Sequence, residues 1–208
     1  MWFPIAIVAV TGYLLGNLNG SVCVSTLVAH EDVRSHGSGN AGLTNFIRNY
    51  GIKSGVLVMI IDILKAACAC FMGGLILNPY GYYQEGLMLG AISVSIGHDF
   101  PALLGFKGGK GILCGVTIAA VIDWRIAVII FGAFAIVYAI TQYVSLGSLV
   151  GSILFSVCFV IFYRDNLLLM IGGILIGVLA VYMHRTNIVR LIKGTESKTN
   201  LFAKGKKQ

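Results

Sequence analysis

Charged side chains are scarce in this chain of 208 residues, of which 11% are charged and 57% hydrophobic. Soluble domains carry about 25% charged residues, so the composition excludes an ordinary soluble fold. Long apolar stretches recur from end to end, and the mean hydropathy is +0.88. These features predict an all-α integral membrane protein that crosses the bilayer several times.

Carboxylates are the scarcest charged groups, with 8 Asp and Glu against 15 Lys and Arg. The apolar segments hold too few of them to bind catalytic magnesium ions, so a lipid phosphotransferase with an Asp-rich metal site is not expected. The chain has no Gly-x-Ser-x-Gly elbow, and its five cysteines lack metal-ligand spacing. We therefore expect no metal and no cofactor, and a chemistry that rests on the binding of oxyanions.

Seven apolar segments are predicted as membrane spans, and some of them are short. They cover residues 3–29, 52–76, 86–98, 111–122, 125–141, 147–163 and 166–183. The polar stretch 123–125 separates the fourth span from the fifth. Together the spans predict one membrane domain over residues 1–200, followed by a basic, disordered tail over 201–208.

The distribution of basic residues favours seven spans and sets their orientation. One side then holds Arg34, Arg48, Lys107, Lys110, Arg185, Arg190, Lys193, Lys198, Lys204, Lys206 and Lys207. The other side holds Arg125 and Arg164. The positive-inside rule places the N-terminus outside and the C-terminus in the cytoplasm. A single span over 111–141 would largely remove this bias.

Three polar segments that contain glycine share the predicted cytoplasmic side, and the first covers residues 36–48. It combines neutral hydroxyl and amide groups with an arginine, which offers a bidentate fork for an oxyanion. The candidate site residues are Ser38, Gly39, Asn40, Thr44, Asn45 and Arg48. The structural alternative is a glycine-rich turn in which Asn40 or Thr44 caps a helix.

Lysines alternate with glycines in the second segment, residues 97–111. Glycines let several backbone N–H groups face one point, and a helix that begins after Gly111 directs its positive end there. This pattern predicts a phosphate site with the candidates His98, Lys107, Gly108, Gly109, Lys110 and Gly111. It is not a Walker loop, because Gly111 stands where Ser or Thr is needed. The alternative is a flexible loop whose lysines only fix the topology.

The third segment, residues 184–196, begins where the last span leaves the membrane. His184 and Asn187 are three residues apart and share a helical face. Arg190 and Glu196 are further candidates for substrate binding, and an interfacial anchor of mixed charge is the alternative. Within the second span, Asp62 and Lys65 are also three apart, and we expect them to form an ion pair or to face the bundle interior.

Taken together, the three segments resemble the bacterial acyl-phosphate:glycerol-3-phosphate acyltransferases, the PlsY family. The signatures are Gly37-Ser38-Gly39-Asn40-x-Gly42-x-Thr44-Asn45-x-x-Arg48, Gly97-His98-x-x-Pro101 continuing to Phe106-Lys107-Gly108-Gly109-Lys110-Gly111, and His184-x-x-Asn187-Ile188-x-Arg190-Leu191-x-x-Gly194-x-Glu196. They occur in the family's order and cover nearly the whole chain. Departures fall at Leu43, at Asn17-Leu18-Asn19-Gly20, at Ile112-Leu113-Cys114 and at Gln142, and none removes a residue of these signatures.

The resemblance implies an enzyme of the bacterial cell membrane with seven spans and a cytoplasmic active site. It would transfer a fatty acyl group from acyl phosphate to the 1-hydroxyl of glycerol 3-phosphate, giving lysophosphatidic acid and phosphate. Coenzyme A, acyl carrier protein and nucleic acid are not expected as partners. A small organophosphate transporter and a catalytically silent paralogue are the alternatives.

The same resemblance implies roles for the site residues. The expected catalytic residues are Ser38, Arg48, Lys107, Lys110, His184 and Asn187, and the other candidates bind substrate. Arg48 and the two lysines, with glycine N–H groups, would hold the two phosphoryl groups. His184 and Asn187 would position the acceptor hydroxyl, whose proton goes either to His184 or to the phosphate of the donor.

Overall fold

Helices form over every predicted apolar segment in the computed structural model, which describes residues 1–198. The α-helices are α1 (Trp2–Asn17), α2 (Gly20–Ala29), α3 (Leu43–Leu77), α4 (Tyr83–Asp99), α5 (Ile112–Ile122), α6 (Trp124–Thr141), α7 (Val144–Phe162), α8 (Leu167–Met183) and α9 (Arg185–Ile192). Short 3-10 turns lie at Val33–Ser35, Asn78–Tyr80 and Ala102–Leu104. The tail predicted over 201–208 lies outside the described residues.

Five helical units in this part of the chain are long and apolar enough to cross a membrane. A sixth arises if α8 and α9, which meet at a bend of 55°, count as one broken span. With 11 residues, α5 is shorter. At 1.5 Å per residue it extends about 16 Å, against about 30 Å of hydrocarbon. The prediction of an all-helical membrane fold is confirmed.

The first predicted span, 3–29, is long and apolar enough to cross a membrane, and it consists of two helices with a short break between them. Residues Leu18 and Asn19 separate α1 from α2. The Asn19 side chain accepts a hydrogen bond from Val22 N at 3.1 Å and donates to Ala41 O at 3.0 Å. Asn competes in this way for backbone hydrogen bonds, and here it ties the break to the loop before α3.

The predicted boundary between the fourth and fifth spans is confirmed as a break between two helices. Asp123 ends α5 and caps α6, since its carboxylate accepts a hydrogen bond from Arg125 N at 3.0 Å. An acidic N-cap satisfies a backbone donor that the first helical turn leaves free. The chain therefore reverses here and returns as α6, which packs against α5.

The helices pack in two groups that enclose the site between them. In one group α3 lies against α4, and α4 against α1; in the other, α7 lies against both α6 and α8. Met88, Phe159 and Leu169 are fully buried in the core that joins the groups. The predicted polar segments lie on one side of the bundle. There they form the 36–42 loop, the 100–111 loop and α9.

The predicted ion pair of Asp62 and Lys65 is confirmed, and it holds the break after α1. Lys65 Nζ lies 2.8 Å from Asp62 Oδ1 and donates to Leu18 O at 2.6 Å. Asp62 Oδ1 also accepts a hydrogen bond from Gly20 N at 3.2 Å. Backbone groups freed by the break thus find charged partners inside the bundle, where water is scarce.

Candidate active site

Asn45 organises the first polar segment. Its Oδ1 accepts a hydrogen bond from Ser38 N at 2.9 Å, and its Nδ2 donates to the carbonyl oxygens of His36 and Asn40, both at 3.1 Å. The side chain is buried, and the loop that carries Ser38 and Asn40 wraps around it. Ser38 is exposed, so its hydroxyl is open to a ligand.

The glycines of the second segment serve close packing. Gly109 N donates to His98 O at 3.1 Å, and Gly108 N donates to Asp99 O at 3.2 Å. A Cβ on Gly108 would collide with His98 O, and one on Gly109 would collide with His98 Nε2. Contrary to the expectation, these two N–H groups are bound to the end of α4 and do not face a phosphate.

The two lysines of the second segment have different surroundings. Lys107 is exposed, and its carbonyl oxygen accepts a hydrogen bond from Arg34 Nη1 at 3.1 Å. Lys110 is half-buried, and its Nζ donates to Asn187 Oδ1 at 2.5 Å. The positive charge expected in this segment therefore comes from the two lysine ammonium groups and not from the glycine N–H groups. Of the two lysines, Lys110 is the more enclosed.

The third segment closes a hydrogen-bonded network with Lys110. Asn187 Nδ2 donates to Glu196 Oε1 at 2.7 Å, and Arg190 Nε donates to Glu196 Oε2 at 2.6 Å. A carboxylate only accepts and an ammonium only donates, so Asn187 has its oxygen towards Lys110 and its NH₂ towards Glu196. Glu196 thus orients both Asn187 and Arg190.

Burial and the charges of this network shift the pKa values of Lys110 and Glu196. Burial, together with the positive charges of Arg190 and Arg48, lowers the pKa of the Lys110 ammonium from its ordinary value of 10.5 to about 8. Burial works to raise the pKa of the Glu196 carboxyl, but hydrogen bonds from Arg190 and Asn187 hold that pKa below its ordinary value. Lys110 is therefore a cation that an anionic ligand would stabilise further.

His184 lies between α8 and α9 and is buried. Its Nδ1 is 2.8 Å from Ala180 O. A carbonyl oxygen only accepts, so Nδ1 carries the proton and Nε2 is left as an acceptor. This tautomer suits a hydroxyl group as the partner of Nε2.

Two adjoining cavities meet at these residues. The larger, of about 980 Å³, is lined by the polar segments at one end and by apolar side chains of α5 to α8 at the other. The smaller, of about 280 Å³, is lined by polar residues and shares Ser38, Asn40, Lys110 and Arg190 with it. The prediction that three distant segments converge on one site is confirmed.

The structure places the sixteen predicted site residues as follows. Twelve line the larger cavity: Ser38, Asn40, Thr44, Asn45, Arg48, His98, Lys110, Gly111, His184, Asn187, Arg190 and Glu196. Three line the smaller cavity alone: Gly39, Lys107 and Gly108. Gly109 lines neither and lies against His98.

Sequence reasoning missed some polar residues that line the cavities. Ser148 and Ser152 of α7 line the larger cavity, and Arg185 lines the smaller one. The serines at 145, 148 and 152 recur at helical spacing, a signal that could have placed them on one face of α7. Asp62 was expected as half of an ion pair and also lines the larger cavity.

A family model described as "Glycerol-3-phosphate acyltransferase" matches residues 6–194. The chain belongs to this family. A glycerol-3-phosphate acyltransferase of Clostridioides difficile is 39% identical over 152 residues, which are 72% of this chain and 74% of the relative. One of Finegoldia magna is 36% identical over 193 residues, or 92% and 94% of the two chains. The family resemblance drawn from the three signatures is thereby confirmed.

Solved structures of the same family share the fold. Crystal structures of PlsY, an integral membrane glycerol 3-phosphate acyltransferase, include its glycerol 3-phosphate form and its lysophosphatidic acid form. The first has a TM-score of 0.83 at 29% identity and covers 94% of this chain and 96% of its own. The second has a TM-score of 0.80 at 28% identity, with 95% and 96% covered. This protein is therefore an integral membrane protein of the PlsY type.

Proposed function

We propose that the protein transfers a fatty acyl group from acyl phosphate to the 1-hydroxyl of glycerol 3-phosphate. The products are lysophosphatidic acid and inorganic phosphate. One observation carries this proposal: a single cavity joins a polar end, with Arg48, Lys110 and Arg190, to an apolar end between membrane helices. Phosphoryl groups fit the first end and an acyl chain fits the second.

The cationic residues hold the phosphoryl groups of donor and acceptor. Arg48 and Lys110 line the larger cavity, and Arg190 lies between the two cavities. Ser38 and Asn40, in the loop around Asn45, orient the acyl phosphate. Lys107, exposed at the smaller cavity, attracts the anions from solvent. These positive charges stabilise the negative charge that moves onto the departing phosphate.

The reaction is a direct acyl transfer. The 1-hydroxyl oxygen of glycerol 3-phosphate attacks the carbonyl carbon, and the bond between that carbon and the bridging phosphate oxygen breaks. His184 Nε2 accepts a hydrogen bond from the hydroxyl group of the acceptor. Asn187 accepts a hydrogen bond from Lys110 and so keeps the lysine close to this hydroxyl group. The hydroxyl proton passes to the departing phosphate. Burial, together with the positive charge of Lys110, lowers the pKa of the His184 imidazole from its ordinary value of 6.5 to about 4, so the ring stays neutral.

The apolar end of the larger cavity takes the acyl chain. Along α7 its lining runs from Ser145, near the polar end, to Phe155. These residues are ten apart, which is about 15 Å at the rise of an α-helix. Half of the hydrocarbon core of a bilayer has about the same thickness, so the cavity suits the acyl chains of membrane lipids.

Seven spans, with the N-terminus outside and the C-terminus in the cytoplasm, complete the proposal. Residues 1–200 are one domain of the bacterial cell membrane, and α5 is its short fourth span. The support is the one-sided charge: Arg125 and Arg164 lie at one end of the bundle, opposite the cationic site. Labelling of Ser197→Cys and Asp165→Cys by an impermeant maleimide, in a background free of native cysteines, tests the orientation in sealed vesicles.

The decisive experiment uses purified protein with palmitoyl phosphate and glycerol 3-phosphate. We expect stoichiometric lysophosphatidic acid and phosphate without coenzyme A, acyl carrier protein or added metal. Uptake of glycerol 3-phosphate into proteoliposomes without conversion would instead identify a transporter. Thermal stabilisation by both substrates without turnover would identify a silent paralogue.

A further inference from the structure

Arg34 joins two loops that are distant in the chain. Its Nη1 donates hydrogen bonds to Leu104 O at 2.7 Å and to Lys107 O at 3.1 Å. Within residues 1–198, neither of these carbonyl oxygens accepts a hydrogen bond from a backbone N–H. Backbone acceptors in a folded chain need a partner. The Arg34 guanidinium is therefore the protein partner of both carbonyls, and it ties the turn formed by residues 104–107 to the chain before the 36–42 loop.

The local surroundings of Arg34 direct its guanidinium towards this turn. Its Nε and Nη2 lie against the Asp32 carboxylate, with Nη2 2.7 Å from Oδ2. Val33, between the two residues, is fully buried in a core with Phe46, and its N–H donates to Ser25 Oγ at 3.1 Å. The planar fork of a guanidinium is rigid. Asp32 thus fixes one edge of the fork on a buried base, and the other edge, Nη1, is left to bind the carbonyls.

The turn that Arg34 holds has an unfavourable backbone conformation. Gly105 and Phe106 both have positive φ angles, of 65° and 59°. Glycine adopts this left-handed region readily, whereas an ordinary residue such as Phe is strained there. The two carbonyls bound by Arg34 lie on either side of this pair. We therefore expect the turn to leave this conformation when Arg34 is lost.

Both loops joined by Arg34 form walls of the smaller cavity. The lining includes Phe106, Lys107 and Gly108 from the turn and its end, and Ser38, Gly39 and Asn40 from the 36–42 loop. The cavity has a volume of about 280 Å³ and is also lined by Lys110, Arg185 and Arg190. Its size and charge suit a small organic phosphate, whereas a fatty acyl chain needs the larger, apolar cavity. Under the proposed function this small phosphate is glycerol 3-phosphate.

We propose that Arg34 is a positioning residue for glycerol 3-phosphate, because it holds the 104–107 turn in the conformation that completes the smaller cavity. The inference rests on the proposed function, which supplies the ligand. Arg34 itself lines neither cavity. It acts through the turn and takes no part in the transfer of the acyl group.

Loss of Arg34 should raise KM for one substrate and leave kcat nearly unchanged. If the turn keeps its binding conformation for about one tenth of the time, the apparent affinity for glycerol 3-phosphate falls about tenfold. Saturation with glycerol 3-phosphate restores this conformation. In Arg34→Ala we therefore expect KM for glycerol 3-phosphate to rise about tenfold, with kcat and KM for palmitoyl phosphate within about threefold of the wild type. A fall in kcat alone, or an equal rise in both KM values, would overturn the proposal.

Arg125 provides a matched control at the other end of the bundle. It forms the same local pair with Asp123, since its N–H donates to Oδ1 at 3.0 Å and its Nη2 lies 2.6 Å from Oδ2. Arg125 lines neither cavity. We expect Arg125→Ala to keep kcat and both KM values within about twofold of the wild type. If it raises KM for glycerol 3-phosphate as much as Arg34→Ala does, the effect does not depend on the turn and the proposal is wrong.

A second substitution separates the conformation of the turn from the charge of Arg34. Asn adopts the left-handed region several-fold more readily than most residues, so Phe106→Asn reduces the strain that Arg34 offsets. The double variant Arg34→Ala/Phe106→Asn should have a KM for glycerol 3-phosphate within about threefold of that of Phe106→Asn alone. This recovery would occur without the positive charge. Absence of recovery would assign Arg34 to the attraction of anions and not to the turn.

Hydrogen–deuterium exchange gives a readout that needs no turnover. Residues 103–108 should exchange faster in Arg34→Ala than in the wild type, while exchange in α6 stays the same. Arg34→Gln serves as a second variant if Arg34→Ala does not fold, since one amide cannot bind Asp32 and both carbonyls. Equal exchange of residues 103–108 in wild type and variant would overturn the proposal. Faster exchange, with no lysophosphatidic acid formed by the wild type, would support the hold on the turn and contradict the proposed function.

Discussion

Lys110 and Asn187 are 77 residues apart in the chain, yet Nζ of the lysine donates a hydrogen bond to Oδ1 of the asparagine. This bond joins the loop after α4 to α9. Asn187 is held in turn by Glu196, so the position of the Lys110 ammonium depends on a carboxylate near the end of the described chain. The two segments act as one unit for this reason.

The lowered pKa of Lys110 predicts an alkaline limit to activity. Its ammonium, with a pKa of about 8, is charged below that pH and loses its proton above it. We therefore expect kcat/KM to fall as pH rises through about 8. Lys110→Arg should lack this limb, because a guanidinium stays charged throughout the accessible range. A profile measured with both proteins tests this, and an identical alkaline limb in each would contradict it.

The two lysines of the same loop should differ in their effect on activity. Lys110 lines both cavities, whereas Lys107 is exposed and lines only the smaller one. We expect Lys110→Met to lower kcat/KM by about 10³, since an enclosed cation stabilises the transition state most. Lys107→Met should lose about tenfold, mainly through KM, because solvent screens its charge. Steady-state kinetics of the matched pair decide, and equal losses would refute the difference in role.

His184 is expected to orient the acceptor hydroxyl without removing its proton. Gln can offer an oxygen acceptor near the position of Nε2, so His184→Gln should keep kcat within about tenfold of the wild type. A general base contributes about 10²–10⁴ in rate, so a loss of that size would assign the proton transfer to His184. His184→Phe, which has no acceptor, serves as the control and should be much less active than His184→Gln.

Asn45 should matter for stability more than its neighbour Asn49. Asn45→Ala leaves Ser38 N and two or more carbonyl oxygens without their partner, which predicts a loss of about 2–4 kcal/mol in the free energy of unfolding. Asn49 is exposed, and within residues 1–198 its side chain donates hydrogen bonds only to Asn45. Asn49→Ala should therefore lose about 1 kcal/mol or less. Unfolding in detergent micelles measures both, and similar losses would contradict the central place of Asn45.

Phe155 is expected to limit the length of the acyl chain. It is 3% exposed, lies farthest along α7 from the polar end of the cavity, and packs against Phe159 behind it. Phe155→Ala lengthens the apolar end, so the rate with stearoyl phosphate relative to palmitoyl phosphate should rise about tenfold. Phe162→Ala, on the same helix but away from the cavity, is the control. An unchanged ratio in Phe155→Ala would place the end of the acyl chain elsewhere.

Short-range sequence patterns were enough to predict several features of the fold. Asp62 and Lys65 fall on one helical face because they are three residues apart, and their pairing follows from the cost of unpaired charge in a membrane. The break at Asp123 follows from a polar residue that interrupts an apolar run. By contrast, the break at Asn19 is stabilised by Ala41 O and Lys65, partners from distant parts of the chain, and no spacing in the sequence shows them.

The sequence by itself determined the membrane fold, the apolar helices, the three polar segments and the family, because these depend on composition and on spacing within short stretches. Only the tertiary structure decided which atoms of those segments face the cavity. The N–H groups of Gly108 and Gly109 turn to the end of α4, and Nδ1 of His98 is held by Lys65 from the second predicted span. Hydrogen-bonding groups have few partners inside a bilayer, so the pairing of each depends on neighbours that only the folded chain brings together.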